Sequence, residues 1–162
     1  MKPNLAMQTP VMAVLEMAGI DYEILWHQRP ATSIDDAAAQ RGVCPSQMVK
    51  TMLLEDMGGL LSLVCLPGNR QVDPNKVRAH FQCRRMTCVK AERVFAVTGY
   101  HPGTVTPLAL PRPLPVLVDP SLLAHTTVTI SSGDAMAGLA LKRDDLFSLF
   151  DATVVSVCRD ES

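Results

Sequence analysis

The run VKTMLLEDMGGLLSLVCLPG, residues 49–68, limits the possible folds more than any other stretch. Two apolar segments flank Gly58-Gly59, the signature of two strands folded back through a tight turn. An antiparallel hairpin this early excludes an all-parallel, doubly wound sheet, whose strands are joined by helical crossovers.

The remaining chain interleaves helices and strands irregularly around this hairpin. TPVMAVLEMAGI reads as a helix with Thr9 as N-cap, Pro10 in the first turn and Gly19 as stop. DYEILWH reads as a strand, and TSIDDAAAQRGV as a helix that opens on Ser/Thr and acids and stops at Gly42. DPNKVRAHF, capped by Asp73, and KAERVFAVTG, ended by Gly99, are two further helices. LPVLVDP, TTVTIS and ATVVSV are strand-like, a second apolar strand begins near Leu139, and RDDLFSLF is helical. The expected fold class is α/β (α+β), a mixed sheet with helices packed around it.

The 162 residues fit one domain, with no repeat, low-complexity tract or linker. At 48% hydrophobic and 19% charged residues the chain has enough apolar surface for a core without a metal or disulfide. Aromatics are sparse at 4%, so that core is built from Val, Leu, Ala and nine Met. No segment reaches the ~20 apolar residues of a membrane span, and MKPNLAMQTP lacks the apolar centre of a signal peptide. The expectation is a cytoplasmic protein. Five scattered cysteines fit reduced thiols, and His80, Cys83 and Cys88 lack the second ligand pair of a zinc site.

Net charge is −1, yet the window from Arg70 to Arg93 holds seven basic residues against Asp73 and Glu92. That window is either a phosphate-facing surface or a solvated face whose acids lie elsewhere in sequence.

Phosphate-binding glycine loops, zinc-protease and serine-hydrolase signatures are absent, and the four histidines are dispersed. Three features remain. Lys50 interrupts the apolar run MVKTMLL, where it either points to solvent by strand alternation or lines a cleft. TGYHPGTVTPLAL, residues 98–110, constrains its backbone repeatedly: Gly103 admits a ligand closely and Pro107 stiffens the chain. Such a loop, Thr106 included, can hold peptide groups in fixed directions, or it can be a rigid turn. ISSGDAMAGLAL, residues 130–141, places small polar residues after a strand, as a turn or as a loop over a site.

Lys50, the G-x-x-x-P loop and the Ser/Gly loop, in that order, resemble the YbaK/EbsC family of the prolyl-tRNA-editing superfamily. GVCPSQMVKTMLL, VTGYHPGTVTPLAL, LPVLVDPSLLAHTTVTISSG and DDLFSLFDATVVSV each match a family block. The resemblance implies one editing domain over residues 1–162, with a mostly antiparallel, barrel-like core and surrounding helices. It implies a free-standing aminoacyl-tRNA deacylase that hydrolyses the ester of a mischarged tRNA, often tRNA(Pro), with neither metal nor cofactor. Lys50 is then placed to meet the terminal phosphate or ribose. Gly103 and Pro107 shape the catalytic loop around the aminoacyl ester, with Thr106 beside them and His101 able to orient water. Ser131 and Gly133 border the aminoacyl pocket.

The partners so implied are mischarged tRNA and, transiently, prolyl-tRNA synthetase, with no membrane and no DNA. Cysteine-clearing members carry an acidic residue after the Ser/Gly loop, whereas this chain has Gly138 near that position and Asp134 earlier. Cysteine, alanine and 2-aminobutyrate therefore all stay open as substrates. A non-catalytic tRNA- or aminoacyl-binding module on the same fold is the alternative.

Overall fold

The computed structural model describes residues 7–160. Six residues of the stretch read for a signal peptide, 1–6, lie outside the described residues.

The expected hairpin forms from β2 (Val49–Asp56) and β3 (Leu61–Pro67), antiparallel with Val49 opposite Pro67 and Glu55 opposite Leu61. Asp56 closes its turn. One carboxylate oxygen accepts the N–H groups of Gly58 and Leu60 at 2.9 and 2.7 Å, and the other accepts Arg84 N–H at 3.1 Å. The hairpin sits in a five-stranded sheet ordered β4-β2-β3-β5-β8. Here β4 is Met86–Cys88, β5 is Val116–Val118 and β8 is Ala152–Val154. β4 runs antiparallel to β2, whereas β5 and β8 extend the sheet in parallel from β3. A second, antiparallel sheet is ordered β1-β7-β6, from β1 (Glu23–Trp26), β6 (Thr127–Ser131) and β7 (Ala137–Lys142). Among the described residues one parallel bridge, Met48 to Thr129, joins the two sheets. The fold is mixed α/β, as expected.

Strand periodicity explains why β3 is buried along its whole length. Alternate side chains point to opposite faces. Leu61, Leu63 and Cys65 enter the main core, while Val64 and Leu66 enter a smaller one behind the sheet. β2 divides likewise, with Val49 and Leu53 on one face and Leu54 on the other. Val128 and Ile130 of β6, and Leu139 and Leu141 of β7, close the main core from the facing sheet. α1 (Pro10–Met17) adds Val11, Met12 and Leu15 to it. α3 (Pro74–Phe81) covers the rear core through Val77.

α2 (Ile34–Arg41) starts where Ser33 Oγ accepts Asp36 N–H at 3.0 Å and ends at Gly42 with φ +73°. α4 (Ala91–Thr98) and α5 (Arg143–Phe147) complete the helices named here. β4 was not foreseen, because its three residues follow two arginines and carry no alternation long enough to read. Among the described residues no helix is long and apolar enough to cross a membrane.

Candidate active site

At the seam between the sheets the loop before β5, the start of β2, the end of β6 and α2 surround one cleft. Its larger lobe, about 340 Å³, is lined by His27, Ser33, Arg41, Gly103, Ser131 and Asp134, among others. A smaller lobe of about 190 Å³ runs along Val49–Met52. Ile34, Arg41, Met48, Gly103 and Ser131 border both lobes, so the two form one continuous cavity.

The fold thus brings Lys50, Gly103 and Ser131 to one cleft from three distant segments. Lys50 lies where β2 has no partner on its outer side, because β4 pairs only with Leu54–Asp56. It is half-buried, and burial lowers the pKa of its ammonium, which donates to the Arg70 carbonyl. Among the described residues no carboxylate pairs with it.

The loop from Thr98 to Leu110 is braced at both ends. Thr98 Oγ1 donates to the Val94 carbonyl at 2.7 Å and accepts Tyr100 N–H at 3.1 Å. Tyr100 is buried, and its hydroxyl donates to the Leu108 carbonyl at 2.6 Å. Between these anchors Thr104 N–H and Oγ1 both reach the His101 carbonyl, making a turn around Gly103 with φ +88°. The backbone N–H groups of Gly103 and Val105, both on the cleft, have no acceptor among the described residues. Gly103 is exposed and Val105 half-buried, so both N–H groups are free to bind water or a ligand oxygen that enters the cleft.

Other residues singled out in the sequence lie elsewhere. Pro107 is buried and borders a separate cavity with Leu110, Leu114 and Phe150. Four residues of extended chain span roughly 13 Å, enough to carry Pro107 out of the cleft that Gly103 lines. Thr106 is fully buried and its Oγ1 has no partner among the described residues. His101 is exposed and stacks on Phe95, ring centroids 4.5 Å apart, and its ring is not among the groups lining the cleft. Gly133 donates its N–H to Ser131 Oγ at 3.0 Å and so fixes that hydroxyl at the cleft wall.

The basic window is partly neutralised in space. Lys76 pairs with Asp160 at 2.7 Å, and Arg93 pairs with Glu55. Arg78, Arg84, Arg85 and Lys90 remain exposed. His80, Cys83 and Cys88 belong to no metal-competent cluster among the described residues.

Two residues of the site escaped the sequence reading. His27 is buried, with Nδ1 2.7 Å from the Ala135 carbonyl, and burial lowers its pKa. Its Nε2 accepts from Arg41 Nε at 3.1 Å, which makes the ring neutral with the proton on Nδ1. Arg41 Nη1 also donates to Thr129 Oγ1 at 3.1 Å, and burial brings its pKa down to about 10. The Gly138 departure therefore has a physical occupant: a Cβ there would lie 2.2 Å from Arg41 Nε. Arg41 was legible in principle. It falls three and four residues after Ala38 and Ala37, the buried face of α2.

Residues 28–149 match the aminoacyl-tRNA editing domain. A proline--tRNA ligase of Bacillus licheniformis is 32% identical over 93 residues, which cover 57% of this chain and 16% of the ligase. The chain therefore spans only a small part of that curated relative. Among solved structures, hypothetical protein APE2540 is 29% identical with a TM-score of 0.85, over 93% of this chain and 99% of that one. A structure proposed to be a trans-editing enzyme for prolyl tRNA synthetase shares the fold at 22% identity and TM-score 0.84, over 99% of both chains. The chain belongs to the aminoacyl-tRNA editing domain family.

Proposed function

We propose that residues 1–162 act as one free-standing editing unit. It hydrolyses, in trans, the ester that joins a misplaced small amino acid to the 3′ adenosine of a tRNA. The observation that carries this reading is the pair of unspent N–H groups, Gly103 and Val105, on the same cleft as Lys50 and Ser131. An ester is already activated relative to an amide. Donors fixed around its carbonyl oxygen stabilise the oxyanion that forms when water attacks, and no side-chain nucleophile is then required.

Lys50 supplies the charge complement. Its ammonium is held by a neutral carbonyl rather than an acid, so exchanging that contact for a phosphate or ribose oxygen breaks no ion pair. Ser131 Oγ, fixed by Gly133 N–H, borders the aminoacyl lobe. Pro107 and Thr106 act from behind the wall by stiffening the loop, and His101 sits at its outer turn. tRNA(Pro) is the first tRNA to test, because a proline--tRNA ligase carries the matching segment. Cytoplasmic action and transient docking on prolyl-tRNA synthetase follow from that substrate.

The deciding experiment is a panel of tRNA(Pro) and tRNA(Ala) charged with alanine, cysteine, 2-aminobutyrate and proline. Release of one small amino acid with proline spared is expected. Binding of tRNA with no turnover on any member would replace the deacylase by a binding module.

A further inference from the structure

Arg41 presents an unusual balance for a charged group inside a protein. Long cations that leave water are normally matched by a carboxylate. Here the guanidinium is held by two neutral partners, His27 Nε2 and Thr129 Oγ1, both at 3.1 Å. No acid among the described residues reaches it. The carboxylates of the same region are engaged elsewhere. Asp36 holds Arg29 and the N–H of Thr32, and Asp134 Oδ1 accepts Met136 N–H at 2.8 Å. A guanidinium carries five N–H donors, so three are left without an acceptor, on a residue that borders both lobes of the cleft.

The space for this arrangement is built into the sheet. Gly138 lies in β7 opposite Ser131, and Arg41 Nε, Cζ and Cδ would stand 2.2, 2.3 and 2.8 Å from a Cβ at that position. Glycine inside a strand weakens it and commonly marks close approach of another group. Here the approaching group is the cation itself. Neutral tethers fix its direction, and the missing Cβ lets it lie against the strand beside Ser131.

We propose that Arg41, set over Gly138 and oriented by His27 and Thr129, forms an oxyanion-binding subsite of the cleft. Two sources could supply that oxyanion: the carboxylate of the amino acid released by hydrolysis, or a phosphate of the nucleotide end. A planar guanidinium with unspent donors suits either, through paired N–H···O bonds. The subsite rests on the deacylase reading only for the identity of its ligand, since its geometry stands without turnover.

The test follows the Arg41 Nε–H resonance, assigned by its loss in Arg41→Lys, while the intact protein is titrated with adenosine 5′-monophosphate, with succinate, or with adenosine as the uncharged control. A saturable shift with the nucleotide but not adenosine assigns the subsite to phosphate. A saturable shift with succinate assigns it to a carboxylate, and a shift with both describes a general oxyanion site. No saturable shift with either anion overturns the proposal.

Gly138→Ala gives an independent check, because it keeps the charge and pushes the guanidinium aside. It should weaken the bound anion about tenfold with the circular dichroism spectrum unchanged. In Arg41→Lys the same glycine change should cost no further affinity, since both act through one group. Undiminished binding in folded Gly138→Ala refutes the assignment. Anion binding by a protein that hydrolyses no mischarged tRNA would sink the deacylase reading and leave the subsite intact.

Discussion

The Tyr100 hydroxyl donates to the Leu108 carbonyl across eight residues, at 2.6 Å, and so fixes the length of the loop that carries Gly103. Burial raises the Tyr100 pKa to about 12, which keeps the hydroxyl protonated and the bond intact through any working pH. Tyr100→Phe removes the donor and leaves a buried carbonyl without a partner. The expected cost is about 1–3 kcal/mol in denaturant unfolding, together with a fall in kcat as the cleft wall loosens. Unchanged kcat at reduced stability would show that this brace serves the fold alone.

Lys50→Ala should leave the fold standing, since the side chain is only half-buried and its partner is a solvent-compatible loop carbonyl. Deacylation should fall by about 10–100-fold, the value of one charge-assisted hydrogen bond to a phosphate or ribose oxygen. Parent and variant should then be compared at increasing salt. A shallower salt dependence in the variant is expected if the ammonium meets phosphate.

Gly103→Ala tests backbone geometry rather than space. Nothing lies within 4 Å of the Cβ it would add, so the penalty is that of φ +88° alone, about 1–2 kcal/mol. Activity should fall further than that stability loss implies, because relaxing this turn moves the N–H groups of Gly103 and Val105 together. Equal kcat/KM in parent and variant would remove the loop from the reaction.

The hairpin was legible because apolar alternation and a Gly-Gly turn specify both its strands and its reversal. Gly103 was legible as a loop glycine and Ser131 as a small polar residue at the end of a strand, and both border the cleft. Pro107 was grouped with Gly103 because proline stiffens the loop and the family resemblance pairs the two, but neither tells which cavity a residue borders. Arg41 was lost for a related reason. A basic residue in the last turn of a helix ordinarily faces solvent and favours the helix dipole. Only the neighbouring buried alanines marked its face as internal.

His27 gives the clearest acid response near the cleft. Burial lowers its pKa, so folding favours the neutral ring. The associated stability is present above the ordinary histidine value of about 6.5 and is lost as pH falls through the lowered folded value. Protonation also removes the acceptor that holds Arg41 Nε and sets two cations side by side. Ring nitrogen shifts should show the Nδ1–H tautomer at pH 7 and a midpoint below 6.5. A midpoint at or above 6.5 would contradict the assigned contact.

Asp119 responds at lower pH. Burial pushes its carboxyl upward, but Ser121 and the N–H groups of Val157 and Cys158, at 2.9 and 3.1 Å, more than offset this and bring it to about 2. The depressed value means stability is complete above about pH 4 and is lost as pH falls towards 2, by roughly 2–3 kcal/mol. Asp119→Asn should flatten that acid limb and lower stability at neutral pH by about 1–3 kcal/mol. Thermal melts from pH 2 to 7 measure both effects.

Among the described residues the two sheets are joined by one backbone bridge, from Met48 to Thr129. Backbone ladders hold strands at one spacing, but a seam with one bridge takes its width from the side chains packed across it. The gauge of the cleft can therefore be changed through side chains that line it, such as Ile34 or Arg41 of α2, which belong to no strand ladder. Its clearance is adjustable side chain by side chain, while each sheet keeps its own ladder.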